Sequence, residues 1–398
     1  MTLDDVMLLD TPELMALIDA NVERDPNAVA LDKHVPHAAL VATQVKYLQR
    51  ARHKLPSYYE VRAILPPLSF EQSSSETAAG RHEWNGELCV DLTCGLGVDT
   101  LYLSRRFSEV MTVESDPVLA AVARINFARL GAENITVVNM PSERFVAEFV
   151  ASGRRADMVY ADPDRRSAQG RKMVRLEDCS PDMIALMPQL EMMTGCVAVK
   201  LSPMFDVVEA FRIFNGGCEV EVYSQRGECK EVTVVTGRDV KKRVLCAHAE
   251  GRGMFAVPYP PADVVMTAGF EPCYAYMLIP DVVLRKSRLV AVYAALKLHR
   301  SYATAVDGYV FLNEMPSEGA IGRIFEIEYM ERFDAVALKK KLRSAGVRSA
   351  DIYVHAFPIS AQDISRRLGI KEGGNSKLAF ARINGLLWAI GLKEVNLY

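Results

Sequence analysis

From Leu88 onward the chain alternates short apolar runs with helix-like stretches, and this alternation limits its fold more than any other feature. The runs are "LCVDL", "VMTVES", "ITVVN", "DMVYAD" and "CVAVKL". Apolar runs of this length, separated by segments long enough for a helical crossover, predict a mostly parallel sheet with helices on both faces. Two further runs, "EVEVYS" and "EVTVVT", are separated only by "QRGECK". A parallel crossover cannot be made in so few residues, so this pair predicts an antiparallel strand at the sheet edge. In such sheets ligands bind beyond the carboxyl ends of the strands, and the unusual residues of this chain lie there.

The flanks read differently. Residues 1 to 80 are expected to be helical: Thr11-Pro12 and Asp25-Pro26 each pair a capping side chain with a first-turn proline. "HAALVATQVKYLQRARHKL" continues the pattern to Pro56, and Ser73 with Glu76 has the spacing of a capping box. After about residue 270 the expectation is a smaller α+β region. There "GRIFEIEYM" and "DIYVHAF" read as strands, "DAVALKKKLRSA" as a helix, and Ser360 with Asp363 as a helix entrance, followed by "KLAFARI" and "GLLWAIGL". A chain of 398 residues also exceeds the roughly 250–300 over which one core keeps growing. The expected division is a helical region over 1–80, a sheet domain over 81–269 and an α+β domain over 270–398.

Charge separates these parts. Residues 270–398 hold 18 Lys+Arg against 13 Asp+Glu, net +5, whereas 1–269 hold 29 against 37, net -8. The tail is thus the half suited to a polyanion, although Lys339-Lys340-Lys341 also suits a solvated helix face. The eight cysteines form no Cys-x-x-Cys pair and no Cys/His cluster, so reduced, mostly buried thiols are expected, with neither zinc nor disulfides. "MTLDDVMLLD" lacks the basic start of a signal peptide, and no apolar run reaches the ~18 residues of a membrane helix. A cytoplasmic enzyme is the expectation.

"VDLTCGLGVDT" places Asp91 at the end of the first strand and Gly95 and Gly97 in the turn that follows, where a missing Cβ lets backbone approach a ligand; Asp99 can start the helix. Thr100 stands where a dinucleotide fingerprint needs its third glycine. Glu114 ends the second strand, in position to accept the ribose hydroxyls of an adenosine-containing ligand. The serines of "EQSSSE" offer hydroxyls and free N–H groups at a helix start, which suits either simple capping or an anion such as a carboxylate.

With "VYADPDRR" at the fourth strand end and "EQSSSE" ahead of the first, the chain resembles the class I S-adenosylmethionine (SAM)-dependent methyltransferases. "KLP", "FEQSSSETA", "DLTCGLGVDT", "DPDRRS", "KLSPMFD" and "GECKE" extend the likeness over nearly the whole chain, to a bacterial methyltransferase family with a C-terminal THUMP-like domain. The resemblance implies a Rossmann-like sheet and SAM as cofactor, with Asp91, Gly95 and Gly97 around its methionine end and Glu114 on its ribose. Ser74 and Ser75 become candidate contacts for its carboxylate. Met140, in the turn Asn139 to Ser142, becomes a candidate adenine contact; the acid often found near this turn is not evident, and Pro141 has no donor.

Enzymes of this class that methylate an exocyclic base amine often carry Asp/Asn-Pro-Pro-aromatic at the fourth strand end. This chain keeps Asp162 and Pro163, but has Asp164 and Arg165 in the next two places. Asp162 is the candidate for orienting the nucleophile or accepting its proton. Asp164 is a candidate second acceptor, or a clamp on Arg165 or Arg166. Both arginines, with Arg171, Lys172 and Arg175, form a run without an acid that suits a phosphate-bearing substrate. Lys200 is expected on the same rim, paired with Asp162 or with substrate phosphate, together with Glu228, Lys230 and Glu231, whose roles are left open. The favoured reading is methylation of a base nitrogen of RNA. The alternatives are a small-molecule or protein methyltransferase, and a non-catalytic SAM- or RNA-binding protein.

Overall fold

The five expected parallel strands form β1 (Gly86–Asp91), β2 (Phe107–Glu114), β3 (Ile135–Asn139), β4 (Met158–Ala161) and β5 (Val197–Leu201), hydrogen-bonded in the order β3-β2-β1-β4-β5. All their pairings are parallel, and the register brings Asp91 level with Thr112 and Tyr160, Glu114 level with Asn139, and Ala161 level with Val199. The order reverses between β1 and β4. That is the switch point at which neighbouring crossovers leave in opposite directions and open a crevice. The computed structural model describes residues 1–165, 176, 179–214, 216–264, 270, 273–298, 301–305 and 307–395. Arg166 and the remaining basic residues of its run, Arg171, Lys172 and Arg175, lie outside the described residues.

The chain divides into two compact units, the first comprising residues 1–205, 214–218 and 234–241, the second 206–213, 219–233 and 242–398. This division differs from the one expected from sequence in three places, of which one is that 206–213 and 219–233 fall in the second unit. Residues 1–80 share a unit with the parallel strands because their helices have no separate core. Val6, Leu14, Val41, Leu48 and Tyr58 pack in one buried cluster with Leu96, Leu101, Val122 and Phe127 from the helices that follow β1 and β2. Residues 242–269 belong to the second unit, where Arg243–Ala249 and Gly253–Pro258 form an antiparallel hairpin that was not read from the sequence. Its signals were present, in the alternation of "RVLCAHA" and the glycines of "EGRG".

The expected caps form where the side chain has no competing partner. Thr11 accepts from the Leu14 amide ahead of Pro12, and Asp25 from Asn27 and Ala28 ahead of Pro26. The box expected from Ser73 and Glu76 does not form. Ser75 caps helix Glu76–Ala79 instead, and Ser73 closes the preceding helix. Glu76 is drawn away by stronger partners: its carboxylate accepts from the Ser57 amide and hydroxyl and from Tyr102.

Strands Cys218–Gln225 and Glu228–Thr236, of which residues 219–233 belong to the second unit, are neighbours joined through Arg226 and Gly227, both at positive φ, so the expected hairpin is present. Eight strands from Ser301–Ala303 at one edge to Lys371–Glu372 at the other build the C-terminal sheet. "KLAFARI" and "LLWAIGL" are its paired strands Ser376–Ile383 and Leu386–Glu394, joined by Asn384 and Gly385 at positive φ. Helices Ala335–Ser344 and Ala361–Leu368 cover one face through Leu338, Leu342, Ile364 and Leu368 against Leu378 and Phe380. Ser360 caps the second helix by accepting from the Asp363 amide. Among the described residues no helix is long and apolar enough to cross a membrane.

Candidate active site

The turn after β1 is built on a buried carboxylate. Asp91 accepts from the Thr93 amide at 2.9 Å through one oxygen, and from the hydroxyls of Thr100 and Thr112 through the other. Burial pushes its pKa up, and these hydrogen bonds, Thr100 foremost, oppose that push. Asp91 therefore works first as the knot tying β1, β2 and the helix after the turn. Thr100, which breaks the dinucleotide fingerprint, is one strand of that knot.

The two glycines of the turn do different work. At Gly95 (φ +55) an added Cβ would meet nothing within 4 Å, and its amide donates to Glu114 at 2.9 Å. Backbone is thus open to a ligand beside an acid at the end of β2. Glu114 also accepts from the Asp116 amide at 2.9 Å, and burial raises its pKa. At Gly97 (φ +83) a Cβ would lie 2.4 Å from the Phe127 ring. That glycine is required by packing. Gly97→Ala is accordingly expected to cost about 1–3 kcal/mol of stability, read as a lower denaturation midpoint in urea. Gly95→Ala has steric room, but the left-handed backbone there is expected to cost about 1–2 kcal/mol of stability in addition to any loss of ligand affinity.

Around this turn stand the other candidates. Asn139 donates to the Glu114 and Ser115 carbonyls, and Ser142 to the Leu92 carbonyl at 2.7 Å, so the turn holding the half-buried Met140 is pinned against the ends of β1 and β2. The Asp162 amide donates to the Thr93 hydroxyl at 2.6 Å, which brings the end of β4 within two residues of Gly95. Pro163 is buried and Asp164 exposed, its backbone pairing with Ser180.

Lys200 turns inward. Its side chain is 9% exposed, and its ammonium lies 2.5 Å from Asp162 and 2.6 Å from Asp99 and donates to Ser74 at 2.8 Å. Ser74 in turn donates to Asp99 at 3.1 Å. Burial would raise the Asp99 pKa, but the Lys200 charge and the hydrogen bonds from Lys200 and Ser74 outweigh it and hold that carboxyl low. The sequence reading gave Asp99 only a helix-starting role, and missed both it and His82. His82 is near enough to act on the charge of Asp99, and its ring stacks on Trp84 at 3.8 Å. "KLP" and "FEQSSSE" serve this arrangement: Lys54 donates to the Phe70 and Glu71 carbonyls, and Ser57 to Glu76, which fixes the segment carrying Ser74 and Ser75.

In the second unit Glu228 pairs with Lys230 at 2.7 Å in solvent, while Glu231 is buried and accepts from Thr233 at 3.4 Å.

Known proteins share this architecture. Residues 322–393 match the model of the THUMP domain-like family. An uncharacterised S-adenosylmethionine-dependent methyltransferase of Mycobacterium tuberculosis is 27% identical over 325 residues, covering 78% of this chain and 83% of that one. A "putative methyltransferase" of Porphyromonas gingivalis, known from its crystal structure, superposes with a TM-score of 0.81 over 97% of this chain and 99% of its own, at 24% identity.

The chain is a class I SAM-dependent methyltransferase with a THUMP-like domain.

The 23S rRNA (uracil(1939)-C(5))-methyltransferase RlmD of Klebsiella pneumoniae is also similar, 33% identical over 166 residues, or 39% of this chain and 36% of that one. The site of this methyltransferase fits SAM: Gly95 leaves room where a Cβ would otherwise project, and Glu114 stands beside it as an acceptor.

Proposed function

We propose that this methyltransferase acts on RNA and methylates a base nitrogen, with Asp162 as the group that receives the nucleophile. The observation that carries this reading is the state of Asp162. One of its oxygens is engaged by Lys200, its side chain is 37% exposed, and its backbone is tied to the turn that holds Gly95. A carboxylate accepts and does not donate, so it suits a nucleophile that brings an N–H. SAM supplies an electrophilic methyl group. With SAM bound, the nitrogen would bond to the methyl carbon as the carbon–sulfur bond breaks and its electron pair stays with S-adenosylhomocysteine, and Asp162 would accept the proton that the nitrogen gives up. In this reading Gly95, Glu114 and the Met140 turn hold the cofactor, and Ser74 and Ser75, which caps the helix beginning at Glu76, are candidates for its carboxylate.

RNA is favoured by the charge of the THUMP-like domain. Lys340, Arg343, Arg348, Arg366, Arg367 and Lys371 are exposed. They fall at the last turns of its two helices and at the strand starts beyond them, where the Lys371 amide donates to the Arg348 carbonyl at 2.9 Å. Such a cluster suits phosphates. From their place in the sequence after Asp162, Arg165 and Arg166, the latter outside the described residues, are candidates for phosphate contacts.

Mass spectrometry of nucleosides from cells with and without the protein tests the reading. Loss of one N-methylated nucleoside is expected. Loss of 5-methyluridine would instead point to carbon chemistry of the kind named for the Klebsiella relative, and an unchanged nucleoside profile would point to a small molecule or a protein.

A further inference from the structure

We propose that Lys200 is a positioning residue, itself held by Asp99 and Ser74, which keeps Asp162 charged and fixes its carboxylate at the end of β4. The proposal rests on Asp162 being the acceptor for methyl transfer. An ammonium has three hydrogens. Those of Lys200 meet three acceptors: Asp162 at 2.5 Å, Asp99 at 2.6 Å and Ser74 at 2.8 Å. Its stem runs through β5, in which every residue is buried. A buried cation survives only when paired in this way, and removing one member leaves an uncompensated charge. Lys200 is therefore committed to the two acids and not to a substrate phosphate.

The consequence is electrostatic. Asp99 and Asp162 both contact the one ammonium, so without it two carboxylates would face a common space, and like charges that share a site force one of them to take up a proton. Among the described residues Asp91 on β1, His82 ahead of β1 and Tyr58 from the N-terminal helices also act on Asp99 or are acted on by it; the His82 charge pulls the Asp99 pKa down in the same sense as Lys200, but less strongly. A protonated Asp162 would donate where the chemistry needs an acceptor. Asp99 and Ser74 do not touch the nucleophile; they fix where the ammonium points.

The test is the titration of the Asp162 carboxyl, followed by NMR of protein labelled with ¹³C at the aspartate side-chain carboxyl and assigned by comparison with Asp162→Asn. Lys200→Met is expected to raise its midpoint by about 1–3 units. Asp99→Asn with Lys200→Met, which removes both charges together, is expected to return the midpoint toward that of an ordinary aspartate and to guard against a single variant that fails to fold. Methyl transfer to RNA from cells lacking the protein, followed with radiolabelled SAM, is expected in Lys200→Met to track the charged fraction of Asp162, falling about tenfold one pH unit below the raised midpoint and recovering above it. SAM affinity should stay within about threefold. An unmoved Asp162 titration in a folded Lys200→Met protein, or an upward shift in Asp99→Asn with Lys200 intact, would overturn the proposal. A titration that moves as expected in a protein that methylates no RNA would uphold it and count against the RNA reading alone.

Discussion

Asp162→Ala is expected to slow methyl transfer by about 10²–10⁴-fold, the usual cost of losing a positioned proton acceptor. SAM affinity should change little, because the close-approach turn and the acid beside it are held by Gly95, Glu114 and Asp116, none of which bonds to the Asp162 side chain in the arrangement described. Lys200 keeps Asp99 and Ser74 as partners in this variant, so its charge is not left alone. Calorimetry for SAM and a single-turnover rate with radiolabelled SAM separate the two effects. A parallel loss of both would mean that Asp162 contacts the cofactor and not the nucleophile.

The second large effect concerns the THUMP-like domain. If its exposed cations hold RNA, affinity must fall with salt by about 0.7 log units per tenfold for each phosphate neutralised on a single strand. Four such contacts make about a 50-fold loss between 50 and 200 mM salt. Replacing Lys340, Arg343, Arg348 and Arg367 by glutamine is expected to flatten that dependence while leaving SAM binding intact. None of the four is buried, so little stability is at stake. Filter binding across a salt series reads the slope directly. An RNA affinity indifferent to salt, or a slope unchanged in the fourfold variant, would remove the domain from RNA binding and bring the small-molecule reading forward.

Much of this was legible in the chain itself, and for local reasons. A strand that must be covered on both faces is mostly apolar along its buried length, so β1, β4 and β5 stood out as runs, and the helices between them followed from spacing. Thr11-Pro12 and Asp25-Pro26 cap as read, because a cap needs only the next three residues. Glu114 could be placed beside the glycine turn because parallel strands end together. The Asn384-Gly385 hairpin was equally local and could have been read from its dipeptide.

Tertiary structure alone decided the partners of residues far apart in the chain. Glu76 was free in sequence to box with Ser73, but Ser57 and Tyr102, 19 and 26 residues away, hold it more strongly. Gly97 carried the mark of a ligand-binding glycine, yet it is the Phe127 ring, supplied by the helix after β2, that leaves no space for a Cβ. Lys200 lies 126 residues from Ser74 and 101 from Asp99, and nothing in any of the three segments points to the others. Charge pairing in a buried space depends on which strand ends the sheet order brings together, and periodicity carries no information about that order.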